Sequence, residues 1–258
     1  MHHQRALVRR PSPRLTEGLL THIEPQPIDV DRAIQQWEGY RATLEANGWE
    51  TIEAPPAEDC PDSVFIEDTM VAYADVAVIA NPGASERRAE IPGAELAVRS
   101  LGYKIARITS PDTLDGGDVL KHDRTVWVGV GDRTNSEGAR QLAAALEPLG
   151  AQVIEVPITK VLHLKSAVTA LPDGTVLGHP SFVDDPTVFE KYLEVPEPDG
   201  AHVVLLNENR LLISASAPRT AELLAARGYT PVPVDISEFE KLEGCVTCLS
   251  VRLRGLPS

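Results

Sequence analysis

Cysteine is scarce in this sequence, three in 258 residues, and an odd number cannot all pair. With Cys60 far from Cys245 and Cys248, a disulfide framework is not the basis of the fold. Long apolar runs are missing as well: no stretch approaches the roughly 20 residues a membrane-spanning helix requires. The segment Met1-His2-His3-Gln4-Arg5 lacks the apolar core of a signal peptide, so the expected compartment is the cytoplasm, with no membrane partner. Basic stripes are also absent. With 38 acidic against 24 basic residues and a net charge of −14, nothing gathers to neutralise phosphates, which argues against nucleic acid. An acidic protein suits a cationic ligand, although many proteins are acidic simply to stay soluble.

A second metal-ligating pair is missing too. Cys245-x-x-Cys248 stands alone, so a structural zinc site has half its ligands, and neither metal nor cofactor is expected. A thioredoxin-type dithiol opens a helix after a strand, whereas this pair precedes an apolar C-terminal strand beginning at Cys248. What remains is two buried cysteines, or Cys248 as a nucleophile with Cys245 a bystander. A thiol reacts as thiolate, so the nucleophile reading needs a base, a group that orients the base and a nearby cation.

What the sequence does have is a repeated phrase. A helical segment closes on a glycine and runs straight into a short apolar strand, at Gly48-Trp49, Gly102-Tyr103, Gly150-Ala151 and Gly228-Tyr229. A further interval, a helix over 186–192 and a strand over 193–196, follows the scheme without the glycine. Four of these units also carry a hairpin with a turn at its tip: 70–73 with 76–79, 119–121 with 125–128, 166–170 with 175–177, and 203–206 with 211–213. The fifth has its helix over 30–46, preceded by a lone N-terminal strand over 6–9. Pairing that strand with the C-terminal strand over 248–253 completes it. The expected fold is therefore α/β, a five-bladed pseudo-symmetric ring of strand-strand-helix-strand units of about fifty residues each. Closed by its own termini, the ring leaves no exposed edge and makes residues 1–258 a single catalytic domain.

The chemistry-bearing residues fall just ahead of the first strand of their units. Asp62, Glu67 and Asp68 lead into the first hairpin, Asp115-Gly116-Gly117-Asp118 into the second, His163 into the third, and Thr247-Cys248 into the last strand. Equivalent positions in a ring converge near one end of its axis. Each part also has a plainer reading. A histidine between two leucines is commonly a hydrogen-bonded core residue. Asp115-Gly-Gly-Asp118 reads as a tight turn with solvated acids and glycines at positive φ. Glu67-Asp68, if buried, needs cationic partners to stay ionised.

Five ordered phrases give the chain a wider resemblance: Asp62-Ser-Val-Phe-Ile-Glu-Asp68, Leu114-Asp-Gly-Gly-Asp-Val-Leu120, Arg133-Thr-Asn135, Leu162-His-Leu-Lys-Ser166, and Glu240-Lys-Leu-Glu-Gly244 through Thr247-Cys-Leu-Ser-Val251. Together they resemble the dimethylarginine dimethylaminohydrolase family of the guanidine-modifying, or pentein, superfamily. The resemblance implies a five-bladed α/β propeller. It also implies a hydrolysis that turns Nω-methylated arginine and water into citrulline and a methylamine through a covalent thiouronium. It assigns Cys248 as nucleophile, His163 as general acid and base, and Asp115 as the acid that orients His163. Glu67 and Asp68 would grip the guanidinium, Asp62 would lie near the α-amino group, Arg87 and Arg133 would bind the carboxylate, and the backbone at Leu20 and Leu242 would line the α-amino end. Free arginine or Nω-hydroxyarginine are the competing substrates, and a non-catalytic methylarginine-binding protein is the competing class. Partners beyond the small-molecule substrate are not expected, and the chain is read as a monomer or homodimer. Residues 16–27, which contain Leu20, are read as a lid.

Overall fold

The computed structural model describes residues 4–254. Strands and helices follow in the order β1 (Arg5–Val8), α1 (Val30–Ala46), β2 (Glu50–Glu53), β3 (Met70–Tyr73), β4 (Val76–Ile79), α2 (Ile91–Ser100) and β5 (Lys104–Arg107). Then come β6 (Val119–His122), β7 (Thr125–Val130), α3 (Ser136–Leu146), β8 (Gln152–Pro157), β9 (Val168–Ala170), β10 (Val176–Gly178) and β11 (Tyr192–Glu194). The chain ends with β12 (Val203–Leu205), β13 (Arg210–Ser214), α4 (Pro218–Ala226), β14 (Thr230–Val234), a single turn α5 (Ser237–Glu240) and β15 (Val251–Leu253).

These strands form five three-stranded sheets of one design. A central strand pairs antiparallel with the strand that precedes it in its unit and parallel with the strand that follows it, giving β3-β4-β5, β6-β7-β8, β9-β10-β11 and β12-β13-β14. The fifth sheet is made by the chain ends, with Ala6 opposite Arg252 in β1–β15 and Leu7 beside Ile52 in β1–β2. The fold is a five-bladed α/β propeller. Residues of β3, β6, β9, β12 and β15, one strand from each blade, surround a central cavity of about 400 Å³. The ring is closed as expected, by pairing of the N- and C-terminal strands β1 and β15, and side-chain packing joins neighbouring blades.

Glycine explains why each helix ends where it does. Gly48, Gly102, Gly150 and Gly228 all adopt left-handed backbone, φ between +86° and +90°, which turns the chain from helix into strand with no Cβ penalty. The fourth blade departs from expectation: instead of a helix over 186–192 it has a 3-10 turn at Pro186–Val188 and a strand that begins at Tyr192. Asp185 caps that turn through the Thr187 N–H at 2.9 Å. Seven residues after a Pro-containing loop are too few to recover the cost of helix nucleation. The last strand is shorter as well, beginning at Val251, because residues 246–249 form a turn.

Helix α1 shows how the fold positions its reactive loop. Ala33, Trp37, Tyr40 and Leu44 recur at helical spacing and are fully buried, so one face of the helix packs on the core. Burying Trp37 or Leu44 stabilises by about 1.5–3 kcal/mol each. Tyr40 goes further: its hydroxyl lies 3.0 Å from the Val246 carbonyl and 2.7 Å from Ser250 Oγ, tying the helix to the loop that carries Cys248. From the other side Arg252 donates to the Thr247 carbonyl at 2.6 Å and to the Ser250 carbonyl. Tyr40→Phe leaves those loop acceptors buried with one donor fewer. We expect it to lower unfolding free energy by about 1–3 kcal/mol, read by urea denaturation with an unchanged m-value; an unchanged midpoint would remove Tyr40 from this role.

Candidate active site

His163 Nε2 lies 3.0 Å from Asp115 Oδ2, and both side chains are buried. The plainer reading of Asp115-Gly-Gly-Asp118, a solvated turn, is thereby corrected. Asp115 and Asp118 have no exposed surface, and neither glycine has positive φ. The glycines are there for closeness: a Cβ on Gly116 would stand 2.1 Å from the Glu67 carbonyl, and one on Gly117 would stand 2.4 Å from Asp68 Oδ1 and 2.8 Å from His163 Nδ1.

The acid pair is held from both chain directions. The Asp115 carboxylate also accepts the Gly83 N–H at 2.9 Å, and the Asp115 N–H donates to the Thr134 hydroxyl oxygen at 3.1 Å. Thr134 in turn donates to Asp118 at 2.6 Å, and Asp118 accepts the Leu164 N–H at 2.9 Å. A continuous chain thus runs from Asp115 through Thr134 and Asp118 to the residue beside His163. Burial raises the Asp118 carboxyl to about 7, against the lowering pull of His163 and Thr134. Asn135 completes the phrase Arg133-Thr-Asn135 by capping α3 through the Gly138 N–H at 2.7 Å.

Asp68 stands on the open side of the imidazole, its Oδ1 3.7 Å from His163 Nδ1 and 2.9 Å from the Gly117 N–H. Its other oxygen is bonded to Arg87. Burial alone would raise Asp68, but His163, Arg87 and Lys165 hold it below the ordinary aspartate value, so it is ionised. Burial likewise pulls His163 down, and Asp68, the hydrogen bond to Asp115 and the charge of Asp118 overcome it, bringing the imidazole up to about 9. At neutral pH His163 is therefore protonated.

A small cavity, about 20 Å³ and thus room for one water, brings these groups together. Asp62, Asp68, Arg87, Arg133, His163, Leu242 and Cys248 all stand on its wall. Arg133 Nη1 is buried with no hydrogen-bond partner and lies 4.0 Å from Asp115. Arg87 is bound to Glu90 through Nε and Nη2 at 2.9 and 2.8 Å, so only its Nη1 edge, already on Asp68, turns to the wall. Asp62 accepts the Leu19 N–H at 3.2 Å, and burial raises its pKa against Arg87 and that hydrogen bond.

Two expected wall residues are placed otherwise. Leu19 rather than Leu20 faces the cavity, while Leu20 packs against the core beneath it. Glu67 points away from its neighbour Asp68, toward the central cavity of the ring, where Lys165 at 2.6 Å and Arg252 hold one oxygen; the other, Oε2, is buried without a partner. Both adjacent acids thus have the cations that burial demands, on opposite sides of the chain. The larger cavity carries Lys121, Lys165 and Arg252 but neither His163 nor Cys248.

Cys245 Sγ lies 3.2 Å from Cys248 Sγ and 3.2 Å from Thr247 Oγ1. The contact with Cys245, burial and the carboxylates of Glu67 and Asp68 hold the Cys248 thiol well above its ordinary value. Among the described residues no group of three or more His, Cys, Asp or Glu could hold a metal. None of their helices is long and apolar enough to cross a membrane.

Known proteins resemble this chain along its whole length. The sequence model of the arginine deiminase family matches residues 57–209. An N(G),N(G)-dimethylarginine dimethylaminohydrolase from Streptomyces coelicolor is 61% identical over 256 residues, covering 99% of both chains. Its namesake from Pseudomonas aeruginosa is 36% identical, covering 95% of this chain and 98% of its own. A crystal structure of a dimethylarginine dimethylaminohydrolase, a histidine-to-glycine variant in an adduct with S-methyl-L-thiocitrulline, superposes with a TM-score of 0.91 at 34% identity, covering 98% of this chain and all of that one. Sequence, blade topology and the burial of the histidine–aspartate pair beside a cysteine agree: this chain belongs to the dimethylarginine dimethylaminohydrolase family.

Proposed function

We propose that this chain, acting as a single catalytic domain, hydrolyses Nω-methylated L-arginine to L-citrulline and methylamine or dimethylamine, with Cys248 as nucleophile. The observation that carries the reading is the polarity of one cavity. Cys248, Asp68 and His163, the last backed by Asp115, stand on its wall together with Asp62 and Arg133, whose Nη1 is unpartnered. An amino acid with a cationic side chain needs this set of partners: carboxylates for the guanidinium and α-amino group, arginine for the carboxylate. Relatives of the family are named for dimethylarginine, and one solved structure, from Pseudomonas aeruginosa, is a cysteine-to-serine variant complexed with citrulline.

The chemistry follows from the charges. Asp68 holds the guanidinium planar beside sulfur, and the arriving cation offsets the carboxylates that keep Cys248 protonated. Substrate thereby helps ionise its own nucleophile. The Cys248 thiolate attacks the guanidinium carbon, and the resulting adduct expels the alkylamine as His163 delivers the proton from Nδ1, its Nε2 being engaged by Asp115. A thiouronium remains on Cys248. The neutral imidazole then takes a proton from water, whose oxygen adds to the same carbon; the adduct expels the Cys248 thiolate and gives up its hydroxyl proton to the released amine or solvent, leaving citrulline. Asp115 fixes the tautomer and stabilises the imidazolium, with no need to become protonated itself.

A cavity of about 20 Å³ is too small to hold an amino acid, so substrate enters only if its wall moves. Residues 16–27 are proposed as the lid: they have little regular structure, and their contacts across the cavity are the Leu19 N–H on Asp62 and the Thr21 and His22 N–H groups, at 2.8 and 2.7 Å, on the Glu243 carboxylate. Backbone at Leu19, Leu20 and Leu242 would then meet the α-amino end.

A product assay tests the reading. Asymmetric dimethylarginine should give citrulline and dimethylamine in equal amounts, and acid quench during turnover should trap substrate-derived mass on Cys248. Arginine and Nω-hydroxyarginine are run beside it. Preferred turnover of either, or binding of methylarginine without product, would replace this reading with another guanidine hydrolysis or with a binding protein.

A further inference from the structure

The pair Cys245–Cys248 has a feature that arginine chemistry does not use. The two sulfurs are 3.2 Å apart, and the Cys248 N–H donates to the Cys245 carbonyl at 3.1 Å, closing a turn over the four residues. Such a turn keeps its first and last Cα atoms within about 7 Å. A disulfide needs its Cα atoms about 4.4–6.8 Å apart and its sulfurs at about 2.05 Å. Backbone spacing is therefore already suitable, and only side-chain rotation has to bring the sulfurs together. The loop itself is pinned by Tyr40 and Arg252, so the two thiols are kept in this relation.

Access is one-sided. Cys248 stands on the wall of the active-site cavity and Cys245 does not, and both are nearly enclosed, with 8% and 5% of their surface exposed. A reactant that enters by the cavity meets Cys248 first, with a second sulfur directly behind it. We propose that Cys245 is a resolving thiol, so that a hydroperoxide converts the pair to a Cys245–Cys248 disulfide, a reversible modification that keeps the reactive sulfur from irreversible oxidation.

The steps balance with hydrogen peroxide as oxidant. Cys248 passes its proton to the Cys245 thiolate 3.2 Å away, and its sulfur attacks one peroxide oxygen; the O–O bond breaks, hydroxide leaves, and Cys248 becomes a sulfenic acid. Cys245 sulfur then attacks Cys248 sulfur, the S–O bond breaks, and the departing hydroxide takes the Cys245 proton to leave as water. Two thiols and one peroxide become one disulfide and two waters. The contact with Cys248 draws the Cys245 thiol down to about 5, with help from His202 and the Thr247 hydroxyl, so the pair readily supplies one thiolate. Cys60 takes no part: burial raises its thiol, and its charged neighbours are Arg9 and Glu90 rather than the other cysteines.

Cleavage after Lys241 and Arg252 releases both thiols in one peptide, residues 242–252. Wild-type protein is treated with hydrogen peroxide, blocked with a maleimide and digested without reduction. We expect this peptide two hydrogens lighter and unlabelled, and both its mass and citrulline formation restored by a dithiol. In Cys245→Ser, with Cys245→Ala as a second variant, the same treatment should instead add two or three oxygens to Cys248, beyond recovery by dithiol. Wild-type peptide that gains oxygen on Cys248 with no two-hydrogen loss overturns the proposal, as does a disulfide through Cys60. The step rests on the nucleophilic reading of Cys248, but the mass readout does not require turnover. A protein that forms the disulfide yet hydrolyses no guanidine would fail the functional reading alone.

Discussion

Gly117→Ala is expected to lower kcat/KM by about 100-fold or more while the fold survives. The added methyl would lie 2.4 Å from Asp68 Oδ1 and 2.8 Å from His163 Nδ1, and neither group can step aside freely. Asp68 is fixed by Arg87 and by the Gly117 N–H itself, and His163 by Asp115. The methyl thus separates the guanidinium clamp from the proton donor by the displacement that positioned catalysis tolerates least. Overpacking costs about 1–3 kcal/mol, and Gly117 lacks positive φ, so no backbone penalty adds to it. Gly116→Ala is the contrasting control, because its methyl meets backbone at the Glu67 carbonyl, 2.1 Å away, and should destabilise the protein more than Gly117→Ala does. Steady-state kinetics and circular dichroism on the two variants decide the matter. Near-normal turnover by a folded Gly117→Ala protein would show that Asp68 and His163 are not the matched pair inferred here.

That argument depends on detail which the sequence carries unevenly. The repeat was readable because each helix must end before its strand begins, and Gly48, Gly102, Gly150 and Gly228 mark the four places where left-handed backbone makes the turn. The convergence of Asp68, Asp115, His163 and Cys248 was readable for a related reason: each precedes the first strand of its unit, and a ring brings such positions together. Direction within a phrase was not readable. Glu67 and Asp68 are adjacent and chemically alike, yet one faces the central cavity with Lys165 and Arg252 and the other faces His163. Only the packed neighbours decide which acid takes which cation. The fourth blade was misread because its helix is replaced by a capped turn of three residues, for which periodicity gives no signal. The closeness of Cys245 to Cys248 was not readable because a strand beginning at Cys248 would separate the thiols, whereas a turn folds the first onto the last. Asp118 and Thr134 act through hydrogen bonds between blade-leading loops, and a one-dimensional pattern carries no trace of them.

His163→Gln should reduce kcat by about 100- to 10,000-fold, because the amide neither delivers a proton to the leaving amine nor accepts one from water. The same substitution has a second, independent signature in stability. In the folded protein Asp68, Asp115 and Asp118 bring His163 up to about 9 from an ordinary 6.5, in spite of burial. A raised pKa means that the folded state holds the proton more tightly than the unfolded chain does. The stabilisation is therefore complete below the unfolded value, about 6.5, and is lost as pH rises through the folded value, about 9. A shift of this size corresponds to about 3 kcal/mol, or roughly 6–12 °C in melting temperature for a chain of this length. Asp118, raised by burial to about 7, loses its own contribution at lower pH, between the ordinary aspartate value and 7, so the interval from 7 to 9 reports mainly on His163. The stability gap between wild type and His163→Gln should be widest near pH 6.5 and close as pH passes 9. Melting curves across that interval test it directly. A gap that stays constant would mean that His163 is neutral in the folded protein, and the proton for the leaving amine would then have to come from another group.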